Sequence, residues 1–204
     1  MSRGSSTPLR SVRNDLSAVL LTGGESRRMG TDKATFLFRE KPLWEVQLEK
    51  LRGMRPAEIL ISARMDPSWR PLEVQFIADI PPSCGPLNGI VASLAKIHTA
   101  HLFVLAIDMP YMAEDYLRSM CEAIEPGRGV VASIDNRAEP LAAVYPRDAL
   151  IDFRSALASG DFSLQKVVRH LVMSGKLLEI SVTEQDKRFF RNLNYVSDVD
   201  TTTD

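Results

Sequence analysis

Cysteine is nearly absent from this chain, with only Cys84 and Cys121 among 204 residues. They form no C-x-x-C pair and no cluster with histidine, which excludes a disulfide scaffold and a thiolate zinc site. Long apolar runs are missing too. The longest uncharged stretch, Ile80 to Ala95, is interrupted by Pro81, Pro82, Gly85, Pro86 and Gly89, so it cannot span a membrane. No membrane partner is expected. Charge of one sign is also lacking: 25 Lys and Arg stand against 26 Asp and Glu, which leaves no polyanion footprint and no expectation of nucleic acid. Residues 1–15 carry Arg3, Arg10 and Arg13 among serines without an apolar segment. They read as a disordered leader, not a secretory signal, and a cytoplasmic location is expected.

What remains is ordinary globular composition, 45% hydrophobic and 25% charged, in a chain long enough to bury roughly 70% of its unfolded surface. Leu16 to Leu21 is a short apolar run ending at Gly23-Gly24, as a buried strand would. Pro42 can open a helix at its first position, with Trp44, Leu48 and Leu51 following until Gly53. Leu87, Ile90, Val91 and Leu94 repeat the stripe of a helix packed on a sheet, as do Leu117, Met120, Cys121 and Ile124. Between these lie strand-like runs at 58–63, 74–78, 101–107, 130–134, 141–145 and 177–182, with further helical spacing at 149–157 and 164–171. This alternation predicts βαβ units and a single three-layer α/β domain with a largely parallel central sheet.

The informative segment is Leu21-Thr22-Gly23-Gly24-Glu25-Ser26-Arg27-Arg28-Met29-Gly30-Thr31-Asp32-Lys33. It leaves a strand where open α/β sheets place ligands. Paired glycines allow close backbone approach, and Arg27, Arg28 and Lys33 supply cations suited to phosphate. The spacing fits neither Gly-x4-Gly-Lys-Ser/Thr nor Gly-x-Gly-x-x-Gly, so P-loop and dinucleotide readings both fail.

This segment resembles the Leu-Ala-Gly-Gly-x-Ser-x-Arg-Met-Gly-x-Asp-Lys signature of the molybdenum cofactor guanylyltransferases, the MobA family, with Thr22 in place of the usual Ala. Shorter landmarks in family order extend the likeness over most of the chain: Lys41-Pro42-Leu43, Gly85-Pro86-Leu87-Asn88-Gly89, Asp108-Met109-Pro110, Glu139-Pro140-Leu141 and Asn192-Leu193-Asn194. The resemblance implies a Rossmann-like nucleotidyltransferase domain over 16–204. It implies GTP as donor and molybdopterin, or its molybdenum-bound form, as acceptor. Molybdoenzyme-maturation proteins would be further partners.

By the same resemblance Leu21, Thr22, Gly23, Gly24, Lys33, Ser62, Asp79 and Asp108 would bind nucleotide, with Ser62 standing where relatives often carry Asn. Arg28, Lys33 and Asp108 would carry catalysis, and Asn192 and Asn194 would line the pterin side. On position alone, Asp108 at the end of an apolar strand suits either a metal ligand or a helix N-cap; the resemblance implies Mg²⁺. Charge accounting also asks for a cation: barriers fall by ~8–23 kcal/mol in enzymes, whereas one Lys about 4 Å from a phosphate charge gives roughly 4 kcal/mol. Asp79 can accept from guanine N1–H and N2–H, or touch ribose or a magnesium-bound water. His98, His101 and His170 have no catalytic partner pattern and read as packed or exposed.

Two rival functions stay open at this level. One is a CTP-dependent relative, although such proteins more often carry Ala where this loop has paired Gly. The other is a catalytically silent nucleotide-binding or cofactor-delivery protein. Every version requires Lys33 and Asp108 to share one cleft.

Overall fold

A computed structural model of the chain describes residues 15–23, 33–79 and 84–193. Its strands are β1 (Leu16–Leu21), β2 (Leu37–Phe38), β3 (Lys41–Pro42), β4 (Glu58–Ala63), β5 (Gln75–Ala78), β6 (His101–Ala106), β7 (Gly129–Ile134), β8 (Arg137–Pro146) and β9 (Leu177–Ser181). The helices are α1 (Leu43–Gly53), α2 (Pro86–Lys96), α3 (Glu114–Glu122), α4 (Leu150–Ser159) and α5 (Leu164–Met173).

Every residue of β1 is buried, as expected of a strand covered on both faces. It pairs in parallel with β4 and β6, in the seven-stranded order β5-β4-β1-β6-β8-β7-β9. Only β8 runs against its neighbours; β7 and β9 are again parallel. Helices α1 and α3 cover one face, through Leu43, Leu48, Leu51, Leu117 and Met120. Helices α2, α4 and α5 cover the other, through Leu87, Ile90, Leu94, Phe153 and Val168. The expected three layers are present.

Local chemistry explains the boundaries. Pro42 is not the first helical residue. It takes the N-cap with φ −64° and ψ 144°, because Lys41 and Pro42 pair with Leu37 and Phe38 in a small hairpin. Gly85, at φ 67°, precedes Pro86 at the start of α2, the arrangement in which a missing N–H costs nothing. The run at 141–145 belongs to a longer strand. Asp135 and Asn136 both adopt positive φ (50° and 63°), making the two-residue turn that joins antiparallel β7 and β8.

One irregularity lies beside the sheet edge that matters for function. Between the pairs Val131–Ala143 and Ser133–Ala138, β7 advances two residues while β8 advances five. The surplus is a bulge carrying Glu139, Pro140 and Leu141. The fully buried Tyr145 closes it by donating its hydroxyl to the Pro140 carbonyl at 2.7 Å. Pairing of β6 with β8 ends at Leu105–Ala142, so the bulge flanks the segment that leads to Asp108. Bulges of this kind commonly re-aim side chains next to active sites.

Candidate active site

The carboxyl ends of β1, β4, β5 and β6 lie along one edge of the sheet, and the candidate residues gather there in two groups. In the first, the Thr22 N–H and hydroxyl both donate to the Ser62 carbonyl at 3.0 Å, carrying the β1–β4 ladder one step past the strand. Asp79 N–H donates to the Ala63 carbonyl at 2.9 Å, which holds the Asp79 side chain beside Ser62. The Ser62 hydroxyl then donates to Asp79 Oδ1 at 2.8 Å. Gly23 completes this group: a methyl on its Cα would stand 2.8 Å from Asp79 Oδ2. The glycine therefore permits a close approach between the loop and that carboxylate.

The second group is an ion pair. Lys33 Nζ lies 3.3 Å from Asp108 Oδ2, with the two side chains 17% and 26% exposed. Lys33 opens a short 3-10 turn, Lys33–Thr35, anchored by the buried Ala34. Asp108 follows β6, whose extension is fixed by the Ile107 N–H donating to the Leu21 carbonyl at 3.0 Å. Residues 75 positions apart thus meet in one ion pair.

The Asp108 loop is fastened from several sides. Leu193 N–H donates to the Asp108 carbonyl at 2.8 Å, bringing the exposed Asn192 alongside. From α1, the buried Gln47 donates to the Ala106 carbonyl at 3.0 Å and Lys50 Nζ donates to the Pro110 carbonyl at 2.6 Å. Burial pushes Lys50 down to about 8, with Glu114 opposing the shift and Arg39 adding to it. Burial also pushes the Glu139 carboxyl above its ordinary value, against the pull of Arg137.

The other expected positions sort by burial. Leu21 is packed in the core with its carbonyl committed to Ile107. Ser62 is also buried, and its hydroxyl is committed to Asp79. These two build the site from beneath. Gly24, Arg28 and Asn194 lie outside the described residues.

A family model described as a MobA-like NTP transferase domain matches residues 18–175. The chain belongs to this family. A probable molybdenum cofactor guanylyltransferase from Opitutus terrae is 32% identical over 188 residues, covering 91% of this chain and 93% of that one. The molybdenum cofactor guanylyltransferase of Syntrophotalea carbinolica is 31% identical over 184 residues, covering 87% and 86%. Among solved structures, molybdopterin-guanine dinucleotide biosynthesis protein A from Archaeoglobus fulgidus has the same fold, with a TM-score of 0.68 at 24% identity over 90% of this chain and 94% of that one.

For this MobA-like nucleotidyltransferase, the residues that sequence reasoning missed are the braces. Gln47 carried a signal, being a polar residue beside Leu48 on the buried side of α1. Tyr145 and Lys50 carried none, because their partners, Pro140 and Pro110, are backbone carbonyls. Among the described residues, no three or more His, Cys, Asp or Glu side chains group to hold a metal ion. The partly exposed Asp108 carboxylate nonetheless fits magnesium brought by a nucleotide, since Mg²⁺ characteristically takes one or two carboxylates together with substrate phosphates and waters. No described helix is long and apolar enough to cross a membrane.

Proposed function

We propose that this MobA-like protein transfers GMP from GTP to the terminal phosphate of molybdopterin, or of its molybdenum-bound form, releasing pyrophosphate and forming the guanine dinucleotide cofactor. The observation that carries this reading is the Lys33–Asp108 pair at 3.3 Å, on the sheet edge that also holds Gly23 and Asp79. The relatives named as guanylyltransferases supply the donor and acceptor.

An oxygen of the acceptor phosphate attacks the α-phosphorus of GTP. The bond from that phosphorus to the β-phosphate oxygen breaks, and pyrophosphate leaves with the electron pair. The acceptor monoester has a second pKa near 6, so it is largely dianionic at neutral pH and needs no general base. This suits a site in which no histidine accompanies Lys33 and Asp108. The protein's work is positioning and charge neutralisation.

Lys33 holds triphosphate oxygens, exchanging Asp108 for them when nucleotide enters. Arg28 adds a second cation to the phosphates, with Gly24 approaching the nucleotide. Asp79, oriented by Ser62, accepts from the guanine edge, while Thr22 and Gly23 bring the loop against it. Asn192 and Asn194 offer amide donors and acceptors to the pterin. Asp108 would hold Mg²⁺, which when bound supplies positive charge across the phosphates. A cytoplasmic setting and hand-over to molybdoenzyme-maturation proteins accompany this reading.

Thermal shifts with GTP, CTP, ATP and UTP in the presence of magnesium test it. A ligand at 100 times its Kd stabilises by about 2.7 kcal/mol, so the preferred base gives the largest shift. GTP is expected to lead. A shift for CTP equal to or above that for GTP would replace the guanylyl reading with a cytidylyl one.

A further inference from the structure

A concavity of about 740 Å³ lies beside residues 110–113, which follow Asp108. Its walls come from the β2–β3 hairpin, α1, residues 110–113 and the turn Lys187–Phe190 with Arg191. The charge there is out of proportion to the chain. Among the described residues, Arg39, Lys41, Lys50, Arg188 and Arg191 line the space with Glu49 as the one lining carboxylate, while Glu114 acts on Lys50 from nearby, in a protein whose formal net charge is −1. Glu49 is committed to Lys41, at 2.7 and 2.9 Å. Among the described residues, neither Arg39 nor Arg188 is paired with a carboxylate.

The arginines are held in a particular way. Arg39 lies over the Phe38 ring at 5.4 Å, Arg188 over Phe189 at 5.1 Å and Arg191 over Tyr111 at 5.1 Å. Phe38 and Tyr111 meet edge to face at 5.2 Å. A guanidinium resting on a ring keeps its N–H edge available for bidentate bonds to a carboxylate. Lys50 stands deeper, with one N–H on Pro110 and two further donors. Burial holds its pKa down, with Glu114 opposing the shift and Arg39 adding to it.

We infer that this groove is a docking site for an acidic segment of a partner protein, whose carboxylates engage Arg39, Arg188 and Lys50 while an apolar side chain packs among Phe38, Tyr111 and Phe189. Charge complementarity selects an acidic occupant. The aromatic rings among the cations favour a peptide with an apolar side chain over a bare phosphate. Phosphate sites gather backbone N–H groups at glycine turns and helix N-termini, whereas aromatic residues with arginine mark protein–protein contacts. This inference goes beyond guanylyl transfer and does not depend on it, because none of these side chains is assigned to nucleotide or acceptor.

The probe is a fluorescein-labelled peptide, Glu-Glu-Leu-Phe-Asp-Glu, titrated with the full chain and followed by anisotropy. Saturable binding is expected, weakening as salt rises. It should fall at least about tenfold in an Arg39→Ser/Arg188→Ser double variant and be unaltered in Lys33→Ala. Both arginines are exposed, and an unchanged circular dichroism spectrum and Tm in the double variant separate lost docking from lost folding. No binding up to about 1 mM peptide, the weakest affinity worth the name, would overturn the inference. So would equal affinity in the double variant. Displacement of the peptide by inorganic pyrophosphate at constant ionic strength would make the groove a phosphate site and equally overturn it.

Discussion

Replacing Gly23 by Ala tests the contact on which the proposed nucleotide pocket is built. The added methyl would stand 2.8 Å from Asp79 Oδ2, and restoring ordinary contact at 3.4 Å requires the carboxylate to retreat by about 0.6 Å. The retreat acts on the hydrogen bond from Ser62 Oγ to Asp79 Oδ1, now 2.8 Å; lengthening it by that amount takes it to the limit of a real bond. Gly23 does not have the positive φ seen at Gly85 or Gly160, so alanine meets the carboxylate and not backbone strain. Losing a hydrogen bond to a charged group costs about 1.5–3 kcal/mol, equivalent to about 10- to 150-fold weaker GTP binding. Isothermal titration with GTP reads this directly. The decisive arm is the double-mutant cycle with Asp79→Ala. With the carboxylate gone, Gly23→Ala should cost nothing further. The same loss in both backgrounds, or none in the Gly23→Ala variant alone, would mean that the Gly23–Asp79 contact does not shape nucleotide binding.

Lys33→Ala should weaken GTP by about 10- to 150-fold, on the scale of a charge-assisted contact, while guanosine binding changes little; equal losses for both ligands would contradict a phosphate role. Asp108→Asn should retain nucleotide binding and lose magnesium-dependent turnover, and unchanged turnover would remove the metal assignment. His101 is buried, and burial holds its pKa below the ordinary 6.5, against the opposing charges of Asp15 and Asp148. Above pH 6.5 this group costs no stability. As pH falls from 6.5 through the lower native value, the unfolded chain takes a proton that the folded one refuses, and stability is lost. His101→Leu should therefore flatten the decline in Tm on the acid side of neutrality; an unaltered slope would exclude His101 as its source.

Most of the scaffold was legible because β1, β4, β6 and α2 are short, strongly periodic or continuously apolar, and burial on both faces leaves little ambiguity. The direction of β8 was not. The apolar run at 141–145 does not say which neighbour it pairs with, and the turn that reverses it is Asp135-Asn136, a less distinctive pair than Asn-Gly. The Glu139 bulge was equally hidden, since it exists only as a mismatch between two strands. For the site, resemblance named Lys33 and Asp108, and the fold brings them to 3.3 Å. Periodicity alone had left Asp108 between metal ligand and helix cap. Ser62 was legible as a departure from its relatives, but its commitment to Asp79 required the register of β4 against β5. The basic groove left no local trace, because Arg188 comes from a segment far along the chain from Arg39 and Lys50.

On the proposed reading, the edge bearing Gly23, Lys33, Asp79 and Asp108 cleaves a guanine nucleotide between its α- and β-phosphates. Pyrophosphate release from GTP with molybdopterin and magnesium measures this most directly, with CTP and an acceptor-free mixture in parallel. Release should require the acceptor and be fastest with GTP. No release under these conditions, or release that is indifferent to the base, would contradict that reading.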